Sequence, residues 1–245
     1  MKMNIIYEPA GRAREYAELA ANIYAGCDHG CIYCYAPAAL KRDRKEFLNS
    51  SPRKDVMRKL AADVDQMGKT NDKREVLMCF SCDAYQALND KYKFARQAIE
   101  LFQTNGVHYI ILTKGGKRSE QDFDIIDPKL GTYATTLTFT DDEQRKKYEP
   151  GASPIPERID ALKHAHALGI KTWVSLEPVF NTEQTLNLIR QTHKFVDLYK
   201  VGKLNYMKEE EAKVDWADFA TRAISLLESL NKAYYIKKDL RFFLP

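Results

Sequence analysis

The sequence has no long apolar run and no strong excess of charge of one sign. Nowhere in its 245 residues is there a stretch approaching the ~20 apolar residues of a membrane-spanning helix. Met1 is followed by polar and charged residues, which predicts that a secretory signal peptide is absent. Hydrophobic residues make up 44% and charged residues 29%, as in ordinary folded domains. These features predict one cytoplasmic domain, residues 1–245, without membrane contact.

Cysteine is scarce, and its distribution argues against a disulfide framework. There are five cysteines, an odd number, and three of them fall within eight positions of the segment YAGCDHGCIYCYAP, residues 24–37. Clustered cysteines in a reducing compartment indicate a metal or redox site. The spacing Cys27-x3-Cys31-x2-Cys34 therefore predicts a loop that presents three thiolates to one inorganic group.

Two kinds of metal site are compatible with three thiolates in one loop. Structural zinc usually takes four protein ligands, and His29 could complete a Cys3His site. An iron–sulfur cube held by three cysteines leaves one iron without a protein ligand, open to a substrate or cofactor. The open cube is the favoured interpretation, and zinc is the alternative.

Short apolar runs alternate with stretches of helical spacing. The predicted strands are 22–24, 76–81, 107–114, 132–140, 171–179 and 195–203. The predicted helices are 38–67, 91–104, 121–126, 154–168, 182–192 and 215–230. Six strand–helix units predict an α/β fold with a parallel sheet and helices outside it. Active residues are then expected at the carboxyl ends of the strands.

The cysteine spacing resembles the signature of radical S-adenosylmethionine enzymes, Cys-x3-Cys-x-aromatic-Cys, in which Tyr33 supplies the aromatic residue. The segments YEPGASPIPERI (148–159), LTKG (112–115) and FSCDAYQ (80–86) resemble the spore photoproduct lyase branch of that superfamily. The opening YEPAGRAREYAELAANIYAGC resembles the leader of shorter members. The resemblance implies a partial (β/α)6 TIM-like barrel with an N-terminal arm (1–21), a barrel core (22–205) and a C-terminal helix and tail (206–245).

The resemblance also implies the cofactors. A 4Fe–4S cluster would be held by Cys27, Cys31 and Cys34, and its free iron would be chelated by the amino and carboxylate groups of S-adenosylmethionine. An electron from a donor such as flavodoxin or ferredoxin would allow reductive cleavage to a 5′-deoxyadenosyl radical, which abstracts hydrogen from a substrate. The cofactors carry this chemistry, and the protein positions them and excludes water.

Several polar residues at predicted strand ends are candidates for binding S-adenosylmethionine. Asp83, with Ser81 beside it, can accept hydrogen bonds from the ammonium group, and Lys114 suits the carboxylate. The structural alternatives are a helix cap for Asp83 and a solvent-directed side chain for Lys114. The remaining candidates, for ribose, carboxylate or adenine, are Tyr33, Thr138, Thr140, Arg158 and Glu177.

Three residues are candidates for returning a hydrogen atom. The lyase uses a cysteine three positions before the Asp of its second-strand motif, and Phe80 occupies that position here. Cys79, Cys82 and Tyr85 are the candidates nearby. Because the residues do not align, the resemblance does not extend to thymine-dimer repair, and the substrate is unidentified.

A basic stretch follows the cysteine loop. Residues 41–59 contain eight Lys or Arg and three Asp or Glu, namely Lys41, Arg42, Arg44, Lys45, Arg53, Lys54, Arg58 and Lys59 against Asp43, Glu46 and Asp55. This stretch suggests nucleic-acid contact, or alternatively a solvated helix face. Besides a radical enzyme acting on nucleic acid, two further functions are therefore considered: a radical enzyme acting on a peptide or protein, and a non-catalytic zinc- or cluster-binding module that recognises nucleic acid.

Overall fold

The computed structural model describes residues 3–244, and their α/β fold is built on a mostly parallel sheet. The strands within that range are β1 (Ile6–Tyr7), β2 (Leu19–Ala21), β3 (Tyr24–Ala25), β4 (Ser51–Pro52), β5 (Val76–Met78), β6 (Tyr109–Thr113), β7 (Gly131–Thr136), β8 (Lys171–Leu176), β9 (Leu198–Val201) and β10 (Ala233–Ile236). The main sheet has the order β1-β2-β5-β6-β7-β8-β9-β10, and β3 pairs with β4 separately. The predicted α/β class is confirmed.

Eleven helices accompany the strands in the described residues, and the helix Ile155–Ala167 packs directly on β7 and β8. They are α1 (Ala36–Ala39), α2 (Arg44–Leu48), α3 (Val56–Thr70), α4 (Leu88–Tyr92), α5 (Phe94–Thr104), α6 (Asp142–Tyr148), α7 (Ile155–Ala167), α8 (Thr182–Thr192), α9 (Lys208–Glu211), α10 (Trp216–Ser229) and α11 (Lys238–Arg241). Two 3-10 helices lie at Gly11–Glu15 and Gly116–Ile125. The helix predicted over 38–67 is divided into α1, α2 and α3, because the chain turns back at 49–55 to form β4.

The sheet is larger at both ends than the sequence predicted. Its first parallel strand is Leu19–Ala21, inside the predicted arm, whereas 22–24 lies beyond it. Ile6–Tyr7 adds an antiparallel edge strand. At the other edge, Ala233–Ile236 pairs in parallel with Leu198–Val201, so the region predicted as a helix and tail contributes a strand. Within residues 3–244 the parallel strands thus number seven rather than six.

The core has two layers because alternate side chains of each strand point to opposite faces. The outer layer packs against the helices and includes Ile111, Val174 and Tyr199. The other face carries a smaller cluster, formed by Ala20, Leu77, Ile110, Ala134 and Trp173.

Candidate active site

A cavity of about 350 Å³ opens at the carboxyl edge of the sheet. Each of the seven parallel strands ends near a residue that lines it. These residues are Cys27 beyond β2 and the short β3, Cys79–Asp83 after β5, Lys114 after β6, Thr136 at the end of β7, Glu177 after β8, Lys203 after β9 and Lys237 after β10. The cavity therefore lies at the edge of the sheet where the sequence analysis expects active residues.

The cysteine loop is fixed first by contacts around Cys27. The Cys27 amide donates to the Phe47 carbonyl at 3.0 Å. Gly26 has a φ of +88°, and a Cβ there would lie 2.5 Å from the same carbonyl oxygen, so this approach requires glycine. On the other side, the Gln86 side chain accepts from the Asp28 amide at 3.0 Å. The first thiol is therefore carried by a restrained backbone.

Arg44 supports the second half of the loop. Its guanidinium donates to the carbonyl of Cys31 at 2.9 Å and to that of Cys34 at 2.8 Å. Arg44 belongs to the basic stretch for which we predicted phosphate contacts, but its donors are directed to the loop backbone. The structure therefore gives it a role in holding two of the three cysteines.

The segment that begins at Glu149 closes over the loop from the opposite side. The Ile32 amide donates to the Tyr148 carbonyl at 3.0 Å, and the Gly151 amide donates to the His29 carbonyl at 2.8 Å. A Cβ on Gly151 would lie 2.5 Å from the Asp28 carbonyl oxygen, so only glycine allows this contact. The Glu-Pro-Gly motif of the sequence is thus a docking segment for the cysteine loop.

The three loop cysteines open into the same cavity. They are free thiols, and all three line it. His29, the fourth ligand of the zinc alternative, instead contacts Arg118 at 3.1 Å and Asp83 at 3.5 Å. Burial lowers the pKa of His29 to about 4, so its ring is neutral at neutral pH.

Asp83 joins the ends of β5 and β6 beneath the cavity. One carboxylate oxygen accepts from the Thr113 hydroxyl at 2.5 Å and the Tyr85 amide at 2.8 Å, and the other accepts from the Lys114 amide at 2.7 Å. Burial alone would raise the pKa of Asp83, but His29 and these donors hold it below its ordinary value. Asp83 is therefore an ionised carboxylate that links the ends of the two strands and lines the cavity.

Lys114 brings a cation to the same part of the cavity. Its ammonium lies 5.6 Å from the centroid of the Tyr33 ring, and no carboxylate within residues 3–244 lies within 4.0 Å of it. Burial alone would lower the pKa of Lys114, but the neighbouring Cys31 and Glu149 side chains raise it. Lys114 is thus charged and available to an anionic group. Ser81 also lines the cavity, with its amide donating to Asn22 at 2.7 Å.

The Tyr33 hydroxyl is bound to a buried network of polar side chains. Glu149 and Arg158 are both 0% exposed and are joined at 2.6 Å. Glu149 also accepts from the Tyr33 hydroxyl and, at 3.3 Å, from the Thr138 hydroxyl. Burial alone would raise the pKa of Glu149, but Arg158 and then Lys114 hold it below its ordinary value.

Three residues that were predicted to bind the cofactor do not line the cavity. The Arg158 guanidinium also donates hydrogen bonds to the carbonyls of Ser153 and Thr136, at 2.9 and 3.0 Å, and it does not line the cavity. Thr138 points to Glu149, and the Thr140 amide donates to Gln184. The strand ends at Thr136, earlier than predicted, so Thr136 is the threonine that reaches the cavity.

The candidate hydrogen donors are placed differently from one another. Cys79 and Cys82 are buried free thiols and both line the cavity. Cys82 lies 3.9 Å from the Asn22 side-chain oxygen. Tyr85 is fully buried behind the cavity, and its hydroxyl has no hydrogen-bond partner among the residues described. Geometry therefore favours the two cysteines over Tyr85.

Glu177 belongs to the lining residues that come from the N-terminal arm and from the last three strand ends, which we call the outer half of the cavity. It accepts from the Tyr16 hydroxyl at 2.9 Å and from the Lys237 ammonium, and Asn205 donates to it at 3.4 Å. The Lys237 ammonium lies 3.8 Å from the centroid of the Tyr16 ring. Burial and the Glu177 carboxylate raise the pKa of Tyr16, which keeps its phenol protonated.

Sequence reasoning missed most of this outer half. Arg12, from the 3-10 helix of the N-terminal arm, pairs with Asp239 and donates to the Tyr206 hydroxyl at 2.6 Å. Lys203 pairs with Glu211 at 2.8 Å. Arg12 and Asp239 meet because both ends of the described chain return to the carboxyl edge of the sheet.

Comparison with known proteins agrees with this geometry. The family model described as the radical SAM superfamily matches residues 21–196. An uncharacterized protein of Methanocaldococcus jannaschii is 26% identical over 200 residues, which cover 80% of this chain and 74% of the relative. An uncharacterized protein of Mycobacterium tuberculosis is 25% identical over 170 residues, and this match spans 48% of its length.

Solved structures show the same fold at low sequence identity. Spore photoproduct lyase complexed with dinucleoside spore photoproduct superposes with a TM-score of 0.72 at 13% identity, covering 94% of this chain and 79% of the lyase. Streptococcus suis SuiB bound to S-adenosylmethionine superposes with a TM-score of 0.67 at 14% identity, covering 91% of this chain and 51% of SuiB. No helix in residues 3–244 is long and apolar enough to cross a membrane.

Proposed function

Because the chain belongs to the radical SAM superfamily, and is a radical S-adenosylmethionine enzyme, we propose that the cavity holds a 4Fe–4S cluster at Cys27, Cys31 and Cys34 with S-adenosylmethionine beside it. When bound, these groups supply the radical that removes hydrogen from a substrate. The observation that carries the proposal is that three free thiols and residues from seven strand ends open into one cavity.

The inner half of the cavity suits the amino-acid part of S-adenosylmethionine. Asp83 offers carboxylate oxygens to an ammonium group, although three internal donors already use them in part. Lys114 offers an ammonium to a carboxylate, and its charge is favourable because no acid pairs with it directly. Ser81 and Thr136 add hydroxyl groups within the same lining.

Tyr33 and the network behind it orient the inner wall. Glu149 holds the Tyr33 hydroxyl, and this fixes the ring whose face lies near the Lys114 ammonium. An aromatic face beside the cysteine loop can pack against a flat heterocycle such as adenine. Arg158 acts in this proposal through Glu149 and is a positioning residue rather than a direct ligand.

The outer half is proposed as the substrate end. Its side chains present both hydrogen-bond donors and an acceptor, through Tyr16, Lys237 and Glu177. Cys79 and Cys82, after β5, line the same cavity. A thiol there can return a hydrogen atom to a carbon-centred product radical, with the thiol oxidised by one electron as the carbon is reduced.

Two classes of substrate are considered, nucleic acids and peptides. Spore photoproduct lyase has been crystallised with a dinucleoside, and SuiB with its precursor peptide SuiA. Either a nucleic acid or a peptide is therefore a reasonable first substrate to test. The non-catalytic module is disfavoured because a simple binding domain does not need polar residues at successive strand ends around one cavity.

The decisive experiment measures 5′-deoxyadenosine. Cluster-loaded protein is reduced anaerobically and incubated with S-adenosylmethionine, with oligonucleotides in one series and peptides in another. We expect 5′-deoxyadenosine from the wild type and none from Cys31→Ala, with deuterium transferred from a labelled substrate in one series only. A protein that loads iron and sulfide, binds S-adenosylmethionine and still forms no 5′-deoxyadenosine would contradict the proposal.

A further inference from the structure

His29 is a buried polar residue of the cysteine loop to which the proposed function gives no role. It is 2% exposed, and it lines the cavity between the first two cysteines of the loop. Its ring lies between two charged groups, with Arg118 at Nε2 and Asp83 at Nδ1. Buried polar groups are kept where they have partners, and both partners here are ionised. The position of the ring therefore calls for an explanation.

Arg118 determines which ring nitrogen of His29 carries the proton. A guanidinium has only N–H donors, and the Nη2 atom of Arg118 lies 3.1 Å from Nε2 of His29. Nε2 therefore accepts this hydrogen bond, and the proton of the neutral ring is on Nδ1. The Nδ1–H group in turn faces Oδ2 of Asp83, at a distance of 3.5 Å between Nδ1 and Oδ2.

The residues around His29 also hold its ring in one orientation. The His29 carbonyl accepts from the Gly151 amide at 2.8 Å, and Nη2 of Arg118 donates to the Gly151 carbonyl at 3.3 Å. Arg118 belongs to the 3-10 helix Gly116–Ile125, which follows β6. His29 is thus the place where the cysteine loop, the Glu-Pro-Gly segment and the helix after β6 meet.

Asp83 has one acceptor position left for a ligand. A carboxylate offers about four lone-pair positions, two on each oxygen. Oδ1 accepts from the Thr113 hydroxyl and the Tyr85 amide, and Oδ2 accepts from the Lys114 amide. The remaining position is on Oδ2, the oxygen that Nδ1 of His29 faces. At 3.5 Å the imidazole is too distant to fill this position with a normal hydrogen bond.

This inference rests on the proposed function, in which Asp83 accepts from the ammonium group of S-adenosylmethionine. We propose that His29 and Arg118 are positioning residues for that contact. Arg118 fixes the tautomer and the orientation of the His29 ring, and the Nδ1–H group keeps Oδ2 of Asp83 directed to the cavity while its last acceptor position stays open. Without the contact at Nε2 the ring can rotate about Cβ–Cγ and present Cδ2–H to the carboxylate, which is a much weaker donor.

A purely supporting role for His29 leads to a different expectation. In that alternative the ring only ties Arg118 to the cysteine loop, and the group that faces Asp83 has no importance. The two roles depend on different ring atoms, Nε2 for support and Nδ1 for positioning. Side-chain amides of two lengths can therefore separate them, because each length replaces one of the two nitrogens.

The central comparison is His29→Asn against His29→Gln. The amide nitrogen of Asn takes about the place of Nδ1, so it still offers an N–H group to Asp83 but is too short to reach Arg118. The amide of Gln reaches about the place of Nε2 and can meet Arg118, but it leaves no donor where Nδ1 was. His29→Leu removes both groups.

The affinity of each cluster-loaded variant for S-adenosylmethionine is measured anaerobically by equilibrium dialysis, at matched iron content. We expect His29→Asn to stay within about threefold of the wild type, and His29→Gln and His29→Leu to bind roughly tenfold more weakly, because a hydrogen-bonding contact is lost. The electron paramagnetic resonance spectrum of the reduced cluster should respond to the cofactor at correspondingly higher concentrations in the two weak variants. The opposite order, with Gln retaining affinity and Asn losing it, would show a supporting role and overturn the inference.

Arg118 provides a second test that leaves the cysteine loop unchanged. Arg118→Met should weaken binding by about threefold or more, and Arg118→Lys, which keeps a donor, should restore most of the affinity. The matched control is Lys117→Met, at the exposed neighbouring position of the same 3-10 helix, which should bind as the wild type does. In the His29→Asn background Arg118→Met should add little, because the amide has no tautomer to fix. Equal affinities in Arg118→Met and Lys117→Met would contradict the inference.

Asp83→Asn separates failure of this inference from failure of the proposed function. If the cluster-loaded wild type does not bind S-adenosylmethionine, or if Asp83→Asn binds it as tightly as the wild type, the proposed cofactor contact is wrong and the inference falls with it. If Asp83→Asn weakens binding while all three His29 variants bind as the wild type does, the cofactor contact stands and the positioning inference alone is wrong.

Discussion

Replacing Arg158 should destabilise the protein more than the loss of any ordinary surface ion pair. Arg158 and Glu149 are 0% exposed, and the guanidinium–carboxylate contact is 2.6 Å. Arg158→Met would leave the Glu149 carboxylate buried without its counter-charge, which typically costs about 3–5 kcal/mol. The same change removes hydrogen bonds to the carbonyls of Ser153 and Thr136, each contributing about 1 kcal/mol.

The effect should be visible in the free energy of unfolding and at the site. Urea unfolding followed by tryptophan fluorescence gives the first quantity. Arg222→Met is the matched control, since Arg222 pairs with Glu183 and Asp218 on the surface, where solvent screens the pair, and its loss should cost much less. Because Glu149 also holds Tyr33, Arg158→Met should reduce S-adenosylmethionine affinity as well.

A double variant examines the cause. Adding Glu149→Gln to Arg158→Met removes the unpaired charge, so the double variant should lose less stability than the sum of the two single variants. The reasoning would be refuted if Arg158→Met cost no more than Arg222→Met. It would also be refuted if the two single effects were simply additive, because the buried charge would then not be the source of the cost.

Three further changes test other parts of the structure. Lys114→Met should leave iron content unchanged and weaken S-adenosylmethionine binding by roughly tenfold to a hundredfold, because a charge-assisted hydrogen bond contributes about 1.5–3 kcal/mol; equal affinity in a titration would remove Lys114 from the site. Gly151→Ala should lower the iron content of the purified protein, since its Cβ would lie 2.5 Å from the Asp28 carbonyl oxygen and push the cysteine loop away. Burial lowers the pKa of Lys200 to about 8, so between pH 8 and about 10 the unfolded chain binds a proton there that the folded chain has lost. The melting temperature of the wild type should therefore rise across this window relative to Lys200→Met, and parallel pH curves would contradict the assignment.

The inner half of the site could be predicted because its signals are local. The cysteine spacing lies in one loop, and Asp83 and Lys114 lie directly after strands that are apolar enough to recognise. Parallel strands bring their carboxyl ends to one edge, so position in the strand was sufficient to predict proximity. Thr138 was misplaced because the threonine-rich run 135–140 has no turn residue to show that the strand ends at Thr136.

The outer half could not be predicted, since it depends on contacts between the two ends of the chain. Arg12 and Asp239 are far apart in sequence, and nothing local in either segment indicates that they pair. The strand Ala233–Ile236 is only four residues long and follows a helix in a segment that resembles a tail. Its pairing with Leu198–Val201 places Lys237 beside Glu177, a position that only the assembled sheet determines.

The most direct test of the account is the iron and sulfide content of anaerobically purified cysteine variants, together with the electron paramagnetic resonance spectrum after reduction. The account predicts about four irons and four sulfides per chain in the wild type, in Cys79→Ala and in Cys82→Ala, with the signal of a reduced 4Fe–4S cluster. Cys27→Ala, Cys31→Ala and Cys34→Ala should each lack a stable cluster, because each removes one of three ligands. Equal loss of iron in Cys79→Ala or Cys82→Ala, or zinc in place of iron in the wild type, would contradict the central claim.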